Sequence, residues 1–174
     1  KGKKIILYGE QGLGDEIRHA SLIPDMLKMG AEVHVECEPR LVEIFQRSFE
    51  GAQVFPKPYT EAETGEVDID FQSAILDLGG YLRPTIDSFP SDPTHAFLKP
   101  NPERIVFWGE RMKALGPRPK VGMIWQSKKA LGGRGRWGAS VEELAPIFSV
   151  GGIDFVNLMY IECNDDRAKI QELY

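Results

Sequence analysis

The most constraining feature of this sequence is a short apolar segment that leads into a glycine-punctuated loop and then into a helical pattern. Residues 4–8 read Lys-Ile-Ile-Leu-Tyr, a run typical of strands that are buried on both faces of a parallel sheet. Gly9, Gly12 and Gly14 follow it, and a helix is predicted from about Asp15. A strand, a loop and a helix in this order predict the first unit of an α/β fold.

The same alternation continues along the whole chain. Further strands are predicted at 32–37, 53–55, 73–78, 121–125 and 153–161. Asn101, followed by proline, is a strong helix start, and that helix is predicted to run to Gly116. The proline-rich segment 117–119 then precedes a restart of the pattern. We therefore expect a Rossmann-like domain over 1–116, with a parallel sheet flanked by helices, and the beginning of a second Rossmann-like unit over 117–174.

Composition limits the compartment and the partners. The 174 residues carry 21 Lys and Arg against 26 Asp and Glu, and the net charge of −5 opposes nucleic-acid binding. The two cysteines, Cys37 and Cys163, lack the spacing of a zinc site, so we expect a reducing, cytoplasmic setting. No apolar run approaches the roughly 20 residues that span a bilayer. Because the chain begins at Lys1, it is expected to be a piece of a longer protein.

The glycine loop does not match the common nucleotide-binding motifs. Its spacing is G-x-x-G-x-G rather than G-x-G-x-x-G, and no Lys-Ser or Lys-Thr pair follows it as in a P-loop. Three carboxylates surround the place where a pyrophosphate would lie, those of Glu10, Asp15 and Glu16. A dinucleotide site is the weaker alternative, supported by Glu36 or Glu38 as a ribose-binding acid after the second strand.

Asp15 is the candidate catalytic residue. A carboxylate in the first turn of a helix stays ionised because the helix dipole and the free amides favour its anion. It can then accept a proton from an attacking hydroxyl group as a general base. The structural alternative is that Asp15 serves only as the N-cap of the helix.

A second candidate site is a basic, glycine-rich loop at 126–137. It follows a predicted strand and precedes a helix with a capping box formed by Ser140 and Glu143. Arginine and lysine side chains, with glycine amides that approach closely, are suited to bind phosphate groups. The alternative is a solvated surface loop. The candidate phosphate-binding residues are Ser127, Lys128, Lys129, Arg134, Arg136 and Trp137.

A resemblance to a known family links the two candidate sites. The run Leu7-Tyr8-Gly9-Glu10-Gln11-Gly12-Leu13-Gly14-Asp15-Glu16-Ile17 resembles the opening of a bacterial glycosyltransferase-like domain of the heptosyltransferase type (glycosyltransferase family nine), which commonly follows tetratricopeptide repeats. The similarity continues through Asp87-Ser88-Phe89-Pro90 and Phe97-Leu98-Lys99-Pro100 to Val121-Gly122-Met123-Ile124-Trp125. It implies a GT-B fold, in which two Rossmann-like halves face each other.

The resemblance also implies roles for individual residues. The catalytic base falls on Asp15, and Gly12, Gly14, Arg18 and His19 are candidates for binding the acceptor, although Arg18 and His19 are also explained as solvated helix residues. The donor would be a nucleotide sugar held by the basic loop, with no metal and no cofactor. The acceptor would be a hydroxyl group of a small molecule, a glycan or a protein.

Two departures from the family pattern support a second hypothesis. Arg136-Trp137 is followed by Gly138 where heptosyltransferases have proline, and their phosphate-binding lysine falls on Gly135. The alternative to an inverting glycosyltransferase is therefore a catalytically inactive binding or scaffold module of a larger repeat protein. In either case, exposed apolar strands in the second unit would favour a homo-oligomer.

The remaining polar motifs are interpreted as structural. Asp68-Ile69-Asp70 matches the D-x-D of metal-dependent glycosyltransferases but lies in an acidic, turn-like segment that indicates a solvated loop. His19, His34 and His95 lack the spacing of a metal site. His34 alternates with valines and is predicted to be an exposed strand residue.

Overall fold

The computed structural model describes residues 2–58, 68–92, 96–126 and 138–173. By its internal contacts the chain divides into two compact units, Lys1–Ile105 and Val106–Tyr174. None of the helices in the described ranges is long and apolar enough to cross a membrane.

The first unit is built on a sheet of four parallel strands. They are β1 (Lys4–Tyr8), β2 (Glu32–Cys37), β3 (Ala52–Pro56) and β4 (Phe71–Ala74), in the order β3-β2-β1-β4. Leu7 pairs with Val35 on one side and with Ser73 on the other, so all strands run the same way. The α/β class and the parallel sheet predicted from the sequence are confirmed, and the strand order is consistent with a Rossmann-like domain.

Four helices of the first unit connect and flank these strands. They are α1 (Leu13–His19), α2 (Ile23–Lys28), α3 (Val42–Ser48) and α4 (Leu78–Leu82), with 3₁₀ turns at Ala20–Leu22, Pro39–Leu41 and Ile86–Ser88. The predicted first helix is therefore two helices joined by a 3₁₀ turn. Pro24 lies in the first turn of α2, where its missing N–H leaves no helical hydrogen bond unmade.

The core of the first unit lies against one face of the sheet. Leu7, Val33 and Val35 are at most 1% exposed and share that face, since alternate residues of a strand point the same way. Phe45 and Phe49 of the α3 region pack edge to face at 5.4 Å between ring centroids and cover it. The alternation of apolar and polar residues along β2 thus places the core on this face, and Ile5 and Leu7 of the apolar strand β1 add to it.

His34 contradicts its prediction, because the side chain is only 1% exposed. Its ring stacks on Phe55 with 5.9 Å between centroids and an interplanar angle of 11°, and its Nε2 lies 3.4 Å from a carboxylate oxygen of Glu32. The physical reason is that the Phe55 ring, on the same face of the neighbouring strand β3, covers the imidazole. A polar residue in an alternating pattern faces solvent only where its face of the sheet is open.

The fourth strand is shorter than predicted and lies earlier in the chain. The apolar run 73–78 was expected to be one strand, but β4 ends at Ala74 and α4 begins at Leu78. Ala74, Ile75 and Leu78 are buried while Leu76 is 39% exposed. A short apolar run can thus supply both the end of a strand and the start of a helix, and periodicity alone does not separate the two.

Helix α5 (Pro102–Ala114) starts as predicted, and the division between the units falls within it. The Asn101 side-chain oxygen accepts a hydrogen bond from the Arg104 amide at 3.1 Å, which confirms the predicted N-cap. Gly116, with φ +90°, follows the end of the helix. In this conformation a side chain would be strained, so glycine is the natural terminating residue.

The second unit contains a pair of parallel strands, β5 (Lys120–Met123) and β6 (Asp154–Asn157), with helices α6 (Ala145–Phe148) and α7 (Asn164–Leu173). Both strands are shorter than predicted. The predicted capping box is confirmed, since the Ser140 amide donates to the Glu143 carboxylate at 2.8 Å and the Glu143 amide donates to the Ser140 hydroxyl at 3.2 Å. The helix after this box is short and begins only at Ala145.

Candidate active site

The candidate site lies at the carboxyl end of β1, where the order of the strands reverses. β2 and β3 continue the sheet on one side of β1, and β4 lies on the other. In open parallel sheets this switch point is where ligands bind, because the loops after the two central strands diverge there. The loop from Gly9 to Gly12 leaves the sheet at this point and leads into α1.

Asp15 lies in the first turn of α1 with its carboxylate half exposed. Its amide donates to the Gly12 carbonyl at 2.9 Å, and one carboxylate oxygen lies 3.4 Å from the Arg18 guanidinium, one turn along the helix. The N-cap of α1 is Gly12, and it makes no side-chain capping bond. The alternative that Asp15 is the N-cap is therefore wrong.

Glu16, the next residue, points the opposite way and is 3% exposed. One carboxylate oxygen pairs with the Lys57 ammonium, and the other accepts the Glu38 amide at 2.7 Å. The expectation that Glu16 faces the same place as Asp15 is thus wrong, because adjacent helix residues are about 100° apart. The hydrogen bond from Lys57 to Glu16 raises the pKa of the Lys57 ammonium, so Lys57 stays protonated at neutral pH.

Gly9 is required by the buried Glu16 side chain. A Cβ atom built on Gly9 would lie 2.4 Å from the Glu16 carboxyl carbon, closer than any real contact. Gly12 and Gly14 differ from it. Neither has a positive φ, the nearest atom to a Cβ on Gly12 is 3.8 Å away, and a Cβ on Gly14 meets nothing within 4 Å. The surface beside Asp15 is therefore open at both of these glycines.

Cys37 lies under the same cluster and takes no part as a nucleophile. Burial, with a smaller contribution from the charge of Glu16, raises the pKa of its thiol to about 12. The thiol is therefore protonated at neutral pH and packs as a small apolar side chain, 1% exposed.

Arg18 and His19 line a groove of about 550 Å³ within the first unit. The groove is also lined by Arg83, which the sequence analysis did not identify as a site residue. The Arg83 guanidinium donates to the Asp25 carboxylate at 3.0 Å and to the Ser21 carbonyl at 2.6 Å. The groove is lined by Arg18, His19, Ser21, Leu22, Leu76, Gly79, Gly80, Arg83, Pro84 and Phe89.

The predicted phosphate-binding residues lie outside the described residues. These are Ser127, Lys128, Lys129, Arg134, Arg136 and Trp137. The two ends of that segment are described and are adjacent, because the Ala139 amide donates to the Trp125 carbonyl at 2.9 Å. Trp125 is buried and its indole N–H donates to the Asp166 carboxylate at 2.7 Å. Trp125 and Ala139, the described residues on either side of the segment, thus lie together beyond the end of β5.

The D-x-D motif has a structural explanation at one of its two acids. The Asp70 carboxylate pairs with Lys3 at 2.5 Å and accepts the Lys4 amide at 2.9 Å, contacts that lower the pKa of Asp70. Asp70 therefore ties the start of β1 to the start of β4. In the ranges that the structure describes, no group of three or more His, Cys, Asp or Glu side chains is arranged to hold a metal ion.

Comparison with known proteins finds similarity to one part of a longer chain. Over an alignment of 188 positions the sequence is 34% identical to Protein FlbA of Caulobacter vibrioides, and the match covers 99% of this chain and 31% of that protein. The chain thus spans about a third of the length of the curated relative that it matches. No family model and no solved structure matches the chain. Along almost its whole length, then, this chain is similar to a portion of Protein FlbA.

Proposed function

We propose that this chain is the acceptor-binding half, with the beginning of the donor-binding half, of an inverting glycosyltransferase of GT-B type. The observation that carries the proposal is the difference in environment between the Asp15 and Glu16 carboxylates. Glu16 is buried and ion-paired, whereas the Asp15 carboxylate is 44% exposed at the switch point of the sheet. An exposed carboxylate at this place can serve as the one base that an inverting transfer needs, because no covalent enzyme intermediate forms.

The proposed step is a single displacement at the anomeric carbon. The acceptor hydroxyl oxygen forms a bond to that carbon as the bond from the carbon to the diphosphate breaks. The hydroxyl proton passes to Asp15, and the diphosphate leaves with the electron pair. Cationic side chains near the diphosphate would stabilise the charge that grows on it, the role proposed for Lys128, Lys129, Arg134 and Arg136.

The groove beside α1 supports the assignment of an acceptor. Arg18 contacts Asp15 and also lines the groove, so a molecule held there lies next to the carboxylate. The open surface at Gly12 and Gly14 lets a sugar ring or a peptide approach the helix backbone without steric conflict. A neutral hydroxyl compound suits a site that has both a carboxylate and a guanidinium.

The second candidate function is a binding or scaffold module without turnover. The contact between Asp15 and Arg18 favours it, because the guanidinium occupies a carboxylate oxygen that a general base would use. The substitution of glycine at positions 135 and 138 in the donor segment favours it as well. The glycosyltransferase requires this segment to recognise a nucleotide. The scaffold module requires it only if the module has kept its ligand.

The test compares Asp15→Asn with Glu10→Gln, which removes an exposed carboxylate from the same loop. The readout is release of nucleoside diphosphate from a panel of nucleotide sugars in the presence of hydroxyl acceptors. Since general-base catalysis contributes about 10² to 10⁴-fold, Asp15→Asn is expected to lower kcat by that factor while Glu10→Gln leaves it unchanged. Equal turnover in both variants would remove Asp15 from the mechanism.

A measurement of nucleotide binding, taken together with turnover, distinguishes the two candidate functions. Calorimetry with nucleoside diphosphates is expected to show binding by the wild type, and weaker binding by the double variant Arg134→Ala with Arg136→Ala. Binding without turnover supports the scaffold module. No heat at millimolar ligand contradicts the glycosyltransferase.

A further inference from the structure

We propose that Glu16, through its buried ion pair with Lys57, is the positioning residue that sets the direction of the Asp15 carboxylate. The proposal deepens the function proposed above and rests on it for the role of Asp15. The claim that Glu16 orients α1 does not depend on any activity, and it can be tested separately.

Helix α1 needs an external anchor. It has seven residues, and isolated helices shorter than about 12 to 15 residues are marginal in water. Its N-cap, Gly12, provides no side-chain hydrogen bond to the free amides of the first turn. Leu13 and Ile17, four residues apart in α1, are partly buried and pack against the apolar cluster. Their packing turns one side of α1 towards the core but supplies no directional contact, so a hydrogen-bonded anchor is needed to fix where the helix starts and its exact rotation.

Glu16 supplies that anchor by contacting the chain after three successive strands. Gly9, after β1, leaves the space that the Glu16 side chain fills. Glu38, after β2, donates its amide to one carboxylate oxygen, and Lys57, after β3, pairs with the other. One side chain thus fixes the start of α1 against the carboxyl ends of β1, β2 and β3.

The rotation of α1 follows from this anchor. Neighbouring helix residues project about 100° apart, so a helix that holds Glu16 inward must hold Asp15 away from the sheet core. Arg18, one turn beyond Asp15, then lies on the same side and lines the groove. If the anchor is lost, α1 can rotate or fray, and Asp15 loses its fixed position beside that groove.

The anchor works only while both charges are present. A carboxylate that is 3% exposed is costly to bury alone, and Lys57, 30% exposed, is the cation that offsets this cost. Glu16→Gln keeps the shape of the side chain but leaves Lys57 unpaired. Glu16→Gln combined with Lys57→Met removes both charges, and such a replacement of a buried pair is often neutral for stability.

The experiment measures the orientation of α1 by NMR in the intact chain. Residual dipolar couplings of the α1 amides are compared with those of β1, β2 and β3 in the wild type, in Glu16→Gln and in the double variant. Glu43→Gln is the matched control, since Glu43 is an exposed first-turn glutamate of α3. Amide exchange at Glu38 is followed in parallel.

In Glu16→Gln we expect the residual dipolar couplings of α1 to shrink towards zero while those of the strands persist. We also expect the Glu38 amide to exchange about ten-fold faster, since this amide loses a charge-assisted hydrogen-bond partner. The double variant is expected to unfold at nearly the wild-type midpoint yet keep the shrunken α1 couplings. That combination of results distinguishes an effect on the orientation of α1 from an effect on stability. The double variant also keeps the test decisive if Glu16→Gln does not fold. Wild-type α1 couplings in a folded variant that lacks Glu16 overturn the proposal.

Turnover provides the second readout. In the double variant kcat is expected to fall about 100-fold with KM little changed, because a displacement of about 1 Å of a catalytic group has that effect. If the wild type turns over no nucleotide sugar, the proposed function fails, and the couplings still decide whether Glu16 orients α1. Unchanged kcat with shrunken couplings would contradict the positioning role.

Discussion

The two units of this chain are stabilised in different ways. The first unit has four strands and a continuous apolar cluster, and it uses a buried ion pair between Glu16 and Lys57 to join its loops. In its described residues the second unit has two strands, and helix α7 buries none of its side chains there. Its buried apolar side chains in the described ranges are Trp125, Val141 and Phe148. A sheet with three or more strands and an apolar face can be stable independently, whereas two strands are marginal.

The comparison predicts that a core cavity has the larger effect in the first unit. Phe45→Ala removes a side chain that is 1% exposed from the centre of the cluster, and we expect it to lower the free energy of unfolding by about 3 to 5 kcal/mol. Phe148→Ala, at 6% exposure in the small core of the second unit, is expected to have a smaller effect. Urea denaturation followed by circular dichroism measures both. Equal losses would show that the two cores are equally well packed.

A glycine substitution sharpens the comparison at the loop of the first unit. Gly9→Ala places a methyl group against the Glu16 carboxyl group, and such overpacking is expected to lower the free energy of unfolding by about 1 to 3 kcal/mol. Gly14→Ala is the matched control, because its methyl group meets no atom within 4 Å and alanine favours a helix. Thermal unfolding of the two variants gives the difference. If Gly9→Ala were as stable as Gly14→Ala, Glu16 would not occupy the position described.

The smallest expected effect is a dependence of the stability of the first unit on pH. Hydrogen bonds from Lys3, Arg40 and Lys99 lower the pKa of Asp70, Glu38 and Glu50 respectively. A carboxyl group whose pKa is lower in the folded chain than in the unfolded chain stabilises the folded chain at pH values above its unfolded pKa. This stabilisation is lost as the pH falls through the folded pKa.

These carboxylates are exposed, so the effect is modest and salt weakens it. Unfolding midpoints measured from pH 6 down to about pH 3 should therefore fall for the first unit, more steeply at low salt. Glu50→Gln, which removes the partner of Lys99, should flatten part of that slope. A slope that is unchanged in this variant would contradict the assignment.

Local signals in the sequence predicted much of the fold. β1, the glycine loop and β2 follow from apolar patterning and glycine spacing. The cap at Asn101 follows from an asparagine directly before a proline, and the one at Ser140 from a serine and a glutamate three positions apart. These features depend on a few neighbouring residues, so they can be recognised without the tertiary structure.

The direction of polar side chains could not be predicted in the same way. Asp15 and Glu16 carry the same charge in the first turn of α1, and the contacts of Glu16 with Glu38 and Lys57, 22 and 41 residues further along, decide which one is buried. His34 is buried because the Phe55 ring of the neighbouring strand covers it. Arg83 was missed because its partners, Ser21 and Asp25, lie about 60 residues away in the chain. Each outcome depends on long-range pairing, which residue type and spacing do not encode.

The hydrogen bond between Ala139 and Trp125 has a consequence for how this architecture can diversify. It holds Trp125 and Ala139 together at a place in the chain between β5 and α6. Doubling the length of a flexible connection costs only about 0.6 kcal/mol of closure entropy. A gene that carries this chain can therefore acquire insertions and new side chains at that place with little thermodynamic penalty. Ligand preference could evolve there while the scaffold stays the same.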